Sequence, residues 1–165
     1  MLLDDSLRAV ELLRLVEGPV VDVGAGGGAP GIPLAHALPE LEFVFLEAER
    51  RKAEFLERWA PPNARVVRGR AEEQPVDWAG AALAKALAPP PVAAEWCLPL
   101  VRPAGLVVLW VGGSAEPARV ARVAEQLAAE LVDRPGDGLL VLRKLGPTPP
   151  GFPRRTGVAR KRPLA

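Results

Sequence analysis

The residues whose types and spacing could do chemistry are concentrated in a glycine-rich stretch near the N-terminus. Residues 20–31 are Val-Val-Asp-Val-Gly-Ala-Gly-Gly-Gly-Ala-Pro-Gly. An apolar run precedes the glycines, and Pro30 favours the first turn of a helix because its missing N–H would have no partner there. A loop between a strand and a helix lies at the carboxyl edge of a sheet, where open α/β folds bind ligands. Glycines let the backbone approach such a ligand closely, so the stretch predicts a binding loop.

Two ligands and one structural role are compatible with this loop. Gly24, Gly26 and Ala29 match the G-x-G-x-x-[G/A] pattern of dinucleotide-binding proteins. Asp22 favours S-adenosylmethionine (SAM) instead, since a carboxylate suits the cationic amino and sulfonium groups of SAM better than an anionic pyrophosphate. In the third alternative Asp22 only caps backbone amides in a structural turn. A dehydrogenase usually carries a separate substrate domain, for which 165 residues leave no room, and SAM is therefore the favoured ligand.

A second carboxylate stands where a ribose would need it. Glu47 follows the apolar run 43–46, 21 residues after Gly26. A carboxylate at the end of the second strand can accept hydrogen bonds from both ribose hydroxyls, in SAM and NAD sites alike. The alternative is a surface acid that faces the positive end of the following helix. We expect the ribose role.

The elements that position these residues alternate along the chain. We predict strands at 20–23, 43–46, 65–67, 81–84, 106–110 and 139–142, and helices at 4–17, from Pro30, and at 49–59, 92–101 and 115–131. Strands separated by helices require a mostly parallel sheet with right-handed crossovers. The turn at 135–138 lets the last strand pair antiparallel with a short strand near 131–134. The predicted class is α/β, a Rossmann-like class I SAM-dependent methyltransferase fold whose mostly parallel sheet ends in an antiparallel hairpin.

Composition excludes several other classes of protein. A chain of 165 residues with 49% hydrophobic and 25% charged residues indicates one folded domain and not a disordered chain. One cysteine (Cys97) and one histidine (His36) exclude a disulfide scaffold and a structural zinc site, and we predict no metal. No run of 18 apolar residues occurs and the N-terminus lacks a basic start, so we expect a cytoplasmic protein without membrane contact. We also expect a monomer. Abundant arginine and proline suit a thermophile, although GC-rich coding would give the same excess.

Charge divides the chain into two parts. Residues 151–165 carry five basic and no acidic side chains, which leaves 16 basic and 20 acidic residues in 1–150. We predict a SAM-binding domain over 1–150 and a basic, proline-rich tail over 151–165, with an extended conformation for residues 146–165. A basic tail on an acidic body suggests a polyanionic partner, and a solvated terminus is the alternative.

Several motifs together carry a resemblance to a known family. They are Asp-Ser-Leu at 5–7, the glycine loop with Pro-Gly-Ile-Pro-Leu-Ala at 30–35, Leu-Glu at 46–47, Lys52, Phe-Leu at 55–56, Arg-Ala-Glu at 70–72, and Phe-Pro-Arg-Arg at 152–155 with Lys161. With these motifs the sequence resembles the RsmG (GidB) family of 16S rRNA 7-methylguanosine methyltransferases. The resemblance covers nearly the whole chain.

The resemblance implies roles for particular residues. The implied cofactor residues are Gly24 and Ala29 along SAM, Gly26 and Gly28 shaping the loop, Ala71 and Glu72 beside the adenine, and Lys85 after the fourth strand. The candidate substrate contacts are Lys85 and the tail cations Arg154, Arg155 and Lys161. Trp110 lies at the predicted carboxyl edge of the sheet and could stack on a base, with a core position as the alternative. The family usually has arginine at position 85, a Lys-Gly pair at 111–112 and a longer helical N-terminal segment.

The implied reaction needs little acid–base chemistry. Nitrogen 7 of guanine has a free lone pair, so catalysis would consist of positioning it against the methyl group, and we nominate no catalytic residue. The expected function is SAM-dependent methylation of guanine in 16S rRNA, as free RNA or in the small ribosomal subunit. The alternatives are a SAM-binding relative that has lost catalysis and acts as a regulatory module, or a methyltransferase for another substrate.

Overall fold

A computed structural model describes residues 2–133 and 138–165. The strands are β1 (Val20–Val23), β2 (Phe43–Glu47), β3 (Ala64–Arg68), β4 (Ala79–Lys85), β5 (Val101–Trp110), β6 (Ala129–Asp133) and β7 (Leu139–Lys144). The helices are α1 (Leu2–Leu7), α2 (Val10–Leu13), α3 (Gly31–Ala37), α4 (Arg50–Trp59), α5 (Pro90–Cys97), α6 (Pro117–Gln126) and α7 (Val158–Lys161). Short 3₁₀ turns span Ala71–Glu73 and Leu98–Leu100. None of the helices in this described part of the chain is long and apolar enough to cross a bilayer.

The strands form one sheet in the order β3-β2-β1-β4-β5-β7-β6. Strands β1 to β5 pair in parallel, whereas β7 pairs antiparallel with both β5 and β6. The predicted fold class and its closing hairpin are therefore confirmed. The strand order changes direction between β1 and β4, and ligands of open α/β sheets bind at the carboxyl ends of strands at such a point.

Two apolar layers cover the sheet. Because side chains alternate across a strand, Val21 and Val23 face α5 and α6, whereas Val20 packs with Phe43 and Leu13 on the face covered by α2 and α3. The central strands consist almost wholly of buried residues, the pattern expected of a parallel sheet with helices on both faces. This burial makes the carboxyl edge of the sheet a rigid platform for the loops that follow β1, β2 and β4.

Several helix boundaries in the structure differ from those predicted from the sequence. The first helix is divided into α1 and α2, and the helix at 92–101 ends at Cys97, after which β5 begins at Val101. The helix at 115–131 ends at Gln126, because Ala128, with φ of +54°, reverses the chain so that β6 can pair with β7. Tertiary pairing thus outweighs the helix propensity of this alanine-rich stretch. Of the predicted turn at 135–138, residues 135–137 lie outside the described part of the chain.

The C-terminal segment is folded back onto α5, so the extended tail predicted for 151–165 is wrong. Phe152, Leu164 and Ala165 pack against the core cluster that contains α5, and Ala159 of α7 is buried. Arg119 of α6 also donates a hydrogen bond to the Ala165 oxygen at 2.7 Å. This packing leaves α5 buried on all sides and places the tail behind the loops at the carboxyl edge.

Candidate functional site

The glycine loop leaves β1 in a conformation that glycine alone adopts easily. Gly24 and Gly28 have φ of +67° and +94°, in the left-handed region that side chains disfavour. A Cβ on Gly24 would lie 2.3 Å from Cδ1 of Leu87. Gly28 donates a hydrogen bond to the Ala25 oxygen at 2.7 Å, which closes the turn before α3. The loop therefore turns sharply while keeping its backbone open to the crevice above the sheet.

Asp22 lies beneath this loop and not in the crevice. Its side chain is 1% exposed, and its Oδ2 accepts a hydrogen bond from the Gly31 N–H at 2.9 Å. Burial and, to a smaller extent, the nearby Glu47 carboxylate raise the pKa of Asp22 to about 7, although the Gly31 N–H opposes the shift. The predicted direct contact between Asp22 and a cationic ligand is wrong, because residue 22 faces α3. Asp22 instead caps the backbone amide of Gly31, which is the structural alternative for this residue.

Glu47 occupies the centre of the crevice. Its Oε2 accepts a hydrogen bond from the Gly26 N–H at 2.8 Å, and its Oε1 accepts one from the Glu49 N–H at 2.9 Å. These two bonds fix the plane of the carboxylate and join the glycine loop to the start of α4. Each oxygen keeps a lone pair that can accept a hydroxyl hydrogen, as the ribose role requires.

Two cavities meet at Glu47. The wider cavity, of about 410 Å³, is lined by the glycine loop, Glu47, Lys52 and residues 85–87. The narrower cavity, of about 100 Å³, is lined by Glu47, residues 69–72, Leu87 and Trp96. Gly24, Glu47 and Leu87 belong to both cavities, so the two form one elongated crevice along the carboxyl edge.

The narrower cavity contains Ala71 and Glu72, the residues implied for the adenine, together with contributors that sequence analysis missed. Arg160 lies 5.2 Å from the ring centroid of Trp96 and donates a hydrogen bond to the Leu87 oxygen at 3.2 Å. The Gly157 N–H donates to Glu72 at 3.5 Å. The C-terminal segment thus supports the walls of this cavity from behind. No sequence motif links these positions, because they meet only through the folded-back tail.

Lys85 and Trp110 end neighbouring strands and both contact Asp5 of α1. Lys85 lines the wider cavity, and its Nζ donates to Asp5 Oδ2 at 2.6 Å. The Trp110 Nε1 donates to the Asp5 backbone oxygen at 3.0 Å, and the Trp110 side chain is 9% exposed among core residues. Stacking of a substrate base on Trp110 is therefore wrong as a prediction, because α1 covers the ring.

The three predicted cations of the tail have different environments. Arg154 donates to Glu95 through Nε and Nη2, at 2.6 and 2.5 Å, and is not available to a phosphate. Its predicted substrate contact is wrong, since a buried carboxylate holds both edges of its guanidinium. Arg155 and Lys161 are exposed and form no side-chain ion pair within residues 2–133 and 138–165. Their predicted phosphate contacts stay predictions.

The crevice fits a nucleoside joined to an amino acid. Glu47 offers the central carboxylate for a ribose, and the narrower cavity offers apolar walls for a base beside Ala71 and Trp96. The wider cavity offers open loop backbone and the charged groups of Lys52 and Lys85 for a polar end. SAM has this arrangement of groups, and the residues present fit it.

Comparison with known sequences agrees with this arrangement. A sequence model of the GidB family, described as rRNA small subunit methyltransferase G, matches residues 1–132. The protein named ribosomal RNA small subunit methyltransferase G from Rubrobacter xylanophilus is 39% identical over 188 residues, which cover 99% of this chain and 69% of the relative. The protein of the same name from Synechococcus sp. strain JA-2-3B'a(2-13) is 35% identical over 186 residues, covering 97% and 72%.

Comparison with solved structures shows the fold. TnmH is 17% identical with a TM-score of 0.67, covering 86% of this chain and 56% of that one. A SAM-dependent O-methyltransferase from Thermotoga maritima is 18% identical with a TM-score of 0.65, covering 86% and 65%. The 16S rRNA N2 G1207 methyltransferase RsmC from T. thermophilus, in complex with AdoMet and guanosine, is 17% identical with a TM-score of 0.62, covering 84% and 39%.

Proposed function

Because the chain belongs to the GidB family of rRNA small subunit methyltransferases G, we propose that it transfers a methyl group from SAM to nitrogen 7 of a guanine in 16S rRNA. The observation that carries the proposal is the crevice at the carboxyl edge, where Glu47 is tied to the Gly26 amide between two cavities. The substrate is free 16S rRNA or the small ribosomal subunit, and the place of reaction is the cytoplasm.

Different residues of the crevice bind different parts of the donor. Glu47 accepts the ribose hydroxyls, Ala71 and Glu72 flank the adenine, and the glycine loop with Lys85 surrounds the amino-acid end. SAM supplies an electrophilic methyl group on a cationic sulfur. Gly24 and Ala29 line this group without side chains that would block the approach of a base.

The protein contributes positioning and not proton transfer. The lone pair of guanine nitrogen 7 forms the new N–C bond while the S–C bond breaks and its electron pair returns to sulfur. No proton has to leave nitrogen 7, so a general base is unnecessary and the crevice need only align the two reactants.

We place RNA contacts on the exposed cations of the folded-back tail. Arg155 and Lys161 are exposed and close in sequence to Gly157 and Arg160, which contact the walls of the narrower cavity. Phosphates held by these cations would bring the RNA to the same edge of the sheet as the donor. Unpaired bases of RNA loops are the parts that proteins can present to such a crevice.

The test is methyl transfer from labelled SAM to 16S rRNA and small subunits from cells that lack the modification. The expected result is label in 16S rRNA, recovered as 7-methylguanosine by mass spectrometry of the digested RNA. Gly26→Trp serves as the matched control, because a Trp side chain at this lining position would obstruct the wider cavity and abolish SAM binding. SAM binding without label in either substrate would refute the proposal and favour a SAM-binding regulatory module.

A further inference from the structure

Asp5 and Lys85 form an ion pair at the rim of the wider cavity. They are 80 residues apart in sequence, and the 2.6 Å bond joins the first helix to the end of β4. The hydrogen bond from Trp110 to the Asp5 backbone oxygen fixes this turn of α1 over the sheet edge. The Lys85 ammonium lowers the pKa of Asp5, so the carboxylate is ionised at neutral pH.

Of the two cations that line this cavity, Lys85 is the one less screened by solvent. The cavity is lined by three charged side chains, those of Glu47, Lys52 and Lys85. The Lys85 side chain is 17% exposed, whereas that of Lys52 is 55% exposed and pairs with Glu49 on the surface of α4. Charges that are partly removed from water interact more strongly with a bound charge than exposed ones do.

The donor brings a positive charge to the same cavity. With the adenine beside Ala71 and the ribose at Glu47, the sulfonium and the amino acid occupy the end of the crevice that Lys85 lines. An ammonium without a counter-charge there would repel the sulfonium. The carboxylate that neutralises Lys85 comes from outside the sheet, on α1.

We propose that Asp5 is a positioning residue for the methyl donor: by neutralising Lys85 it allows the wider cavity to accept a ligand with a cationic sulfur. Asp5 acts through Lys85 and does not itself line the cavity. The inference rests on the proposed function only in taking SAM as the ligand, and it is independent of the RNA substrate. It also gives the Asp-Ser-Leu motif at 5–7 an electrostatic role at the crevice.

The test compares SAM with S-adenosylhomocysteine, which has the same groups but a neutral thioether in place of the sulfonium. Dissociation constants are measured by calorimetry for the whole protein and for Asp5→Asn, which keeps the shape of the side chain and removes its charge. We expect SAM affinity to fall by about three- to tenfold relative to S-adenosylhomocysteine, the size of the interaction between two unit charges several ångströms apart when water screens them. The affinity for S-adenosylhomocysteine should stay unchanged.

Lys85→Met gives the opposite expectation: it leaves the Asp5 carboxylate paired only with the exposed Arg8, at 3.3 Å, and should favour SAM over S-adenosylhomocysteine. The double variant should return the affinity ratio to that of the parent. Glu11→Gln is the matched control, because it removes an equal charge from α2, where Glu11 pairs with Arg14 on the exposed surface. Its ratio should equal that of the parent.

A structural role would give a different pattern. Equal weakening of both ligands in Asp5→Asn, or ratio changes of the same sign in Asp5→Asn and Lys85→Met, would overturn the inference. The ratio is a binding measurement and needs no RNA. A parent protein that shows the expected ratios but does not methylate 16S rRNA would therefore overturn the proposed function alone.

Discussion

Substitution of Arg154 tests whether the C-terminal segment is a structural part of the domain. Its guanidinium holds both oxygens of Glu95, at 2.6 and 2.5 Å, and also donates to the Arg162 oxygen at 2.9 Å. The Glu95 side chain is 3% exposed, so Arg154→Ala would leave a buried carboxylate without its partner. Loss of one partner of a buried pair costs about 3–5 kcal/mol, and the 22% exposure of Arg154 reduces this to about 2–4 kcal/mol.

The assay is the free energy of unfolding in urea, measured together with SAM affinity. Arg154→Lys keeps the charge but loses the planar fork, so it should destabilise the protein less than Arg154→Ala does. Adding Glu95→Gln to Arg154→Ala removes the stranded charge and should restore part of the loss. SAM affinity should also fall in Arg154→Ala, because the segment it anchors places Arg160 and Gly157 against the narrower cavity.

The result that would refute this reasoning is a free energy of unfolding that Arg154→Ala leaves unchanged. A simultaneous loss of about one ion from the salt dependence of RNA binding would show that Arg154 contacts a phosphate and that the tail is free. Arg155→Ala is the matched control, since its exposed side chain has no ion pair among the described residues. It should leave unfolding unchanged.

Three further predictions concern the loop and the RNA contacts. Because the pKa of Asp22 is raised from 3.8 to about 7, the stability it contributes is complete below pH 3.8 and is lost as the pH rises through 7, by up to about 4 kcal/mol. Asp22→Asn should remove this dependence in urea unfolding between pH 5 and 8, and equal slopes in both proteins would contradict the burial argument. Gly31→Ala should destabilise the protein by about 1–3 kcal/mol, because the new Cβ would lie 2.5 Å from Asp22 Oδ2. Gly112→Ala is the control, since a Cβ there would have no atom within 4 Å, and it should leave stability unchanged. Thermal unfolding of the two variants tests this difference. Arg155→Ala and Lys161→Ala should each lower the slope of log K against log salt for RNA binding by about one, and unchanged slopes would assign both cations to the free surface.

The sheet could be predicted because its strands are apolar runs with clear interruptions. Asp22 is the one acidic residue in the two runs 20–23 and 43–46. Segments with the polar faces of amphipathic helices separate the apolar runs, which is the pattern of a parallel sheet. The boundaries of α6 and β6 could not be predicted. Nothing local distinguishes Ala128 from its alanine neighbours, and its left-handed φ follows from the pairing of β6 with β7.

The centre of the site could be predicted because its residues directly follow strands. Glu47, Ala71 and the glycine loop all lie at strand ends, and the carboxyl ends of parallel strands meet at one edge. The environment of Asp22 could not be predicted, because every residue of β1 is buried. Without an alternation of apolar and polar residues, the sequence does not reveal which face residue 22 occupies.

The charge of the tail shows why local composition was insufficient. The same five basic residues that suggest a polyanion partner include Arg154, which neutralises a buried acid, and Arg160, which lies against Trp96. Glu95 gives no signal of this pairing, since it lies within an apolar helix 59 residues before Arg154. The number of basic residues in the tail is therefore larger than the number of cations that RNA could contact.

Two segments outside the parallel sheet complete the crevice at its opposite ends. The first helix brings Asp5 to Lys85 at the wider cavity, and the folded-back tail brings Arg160 to Trp96 at the narrower one. The sheet supplies the central contact through Glu47, whose carboxylate is held by the loop after β1 and by the start of α4. The sheet and its loops thus hold the centre of the crevice, while the ion pair at one end and the packing at the other depend on segments outside the sheet. We accordingly expect selectivity for a cationic donor to depend on α1, and the walls of the narrower cavity to depend on the tail.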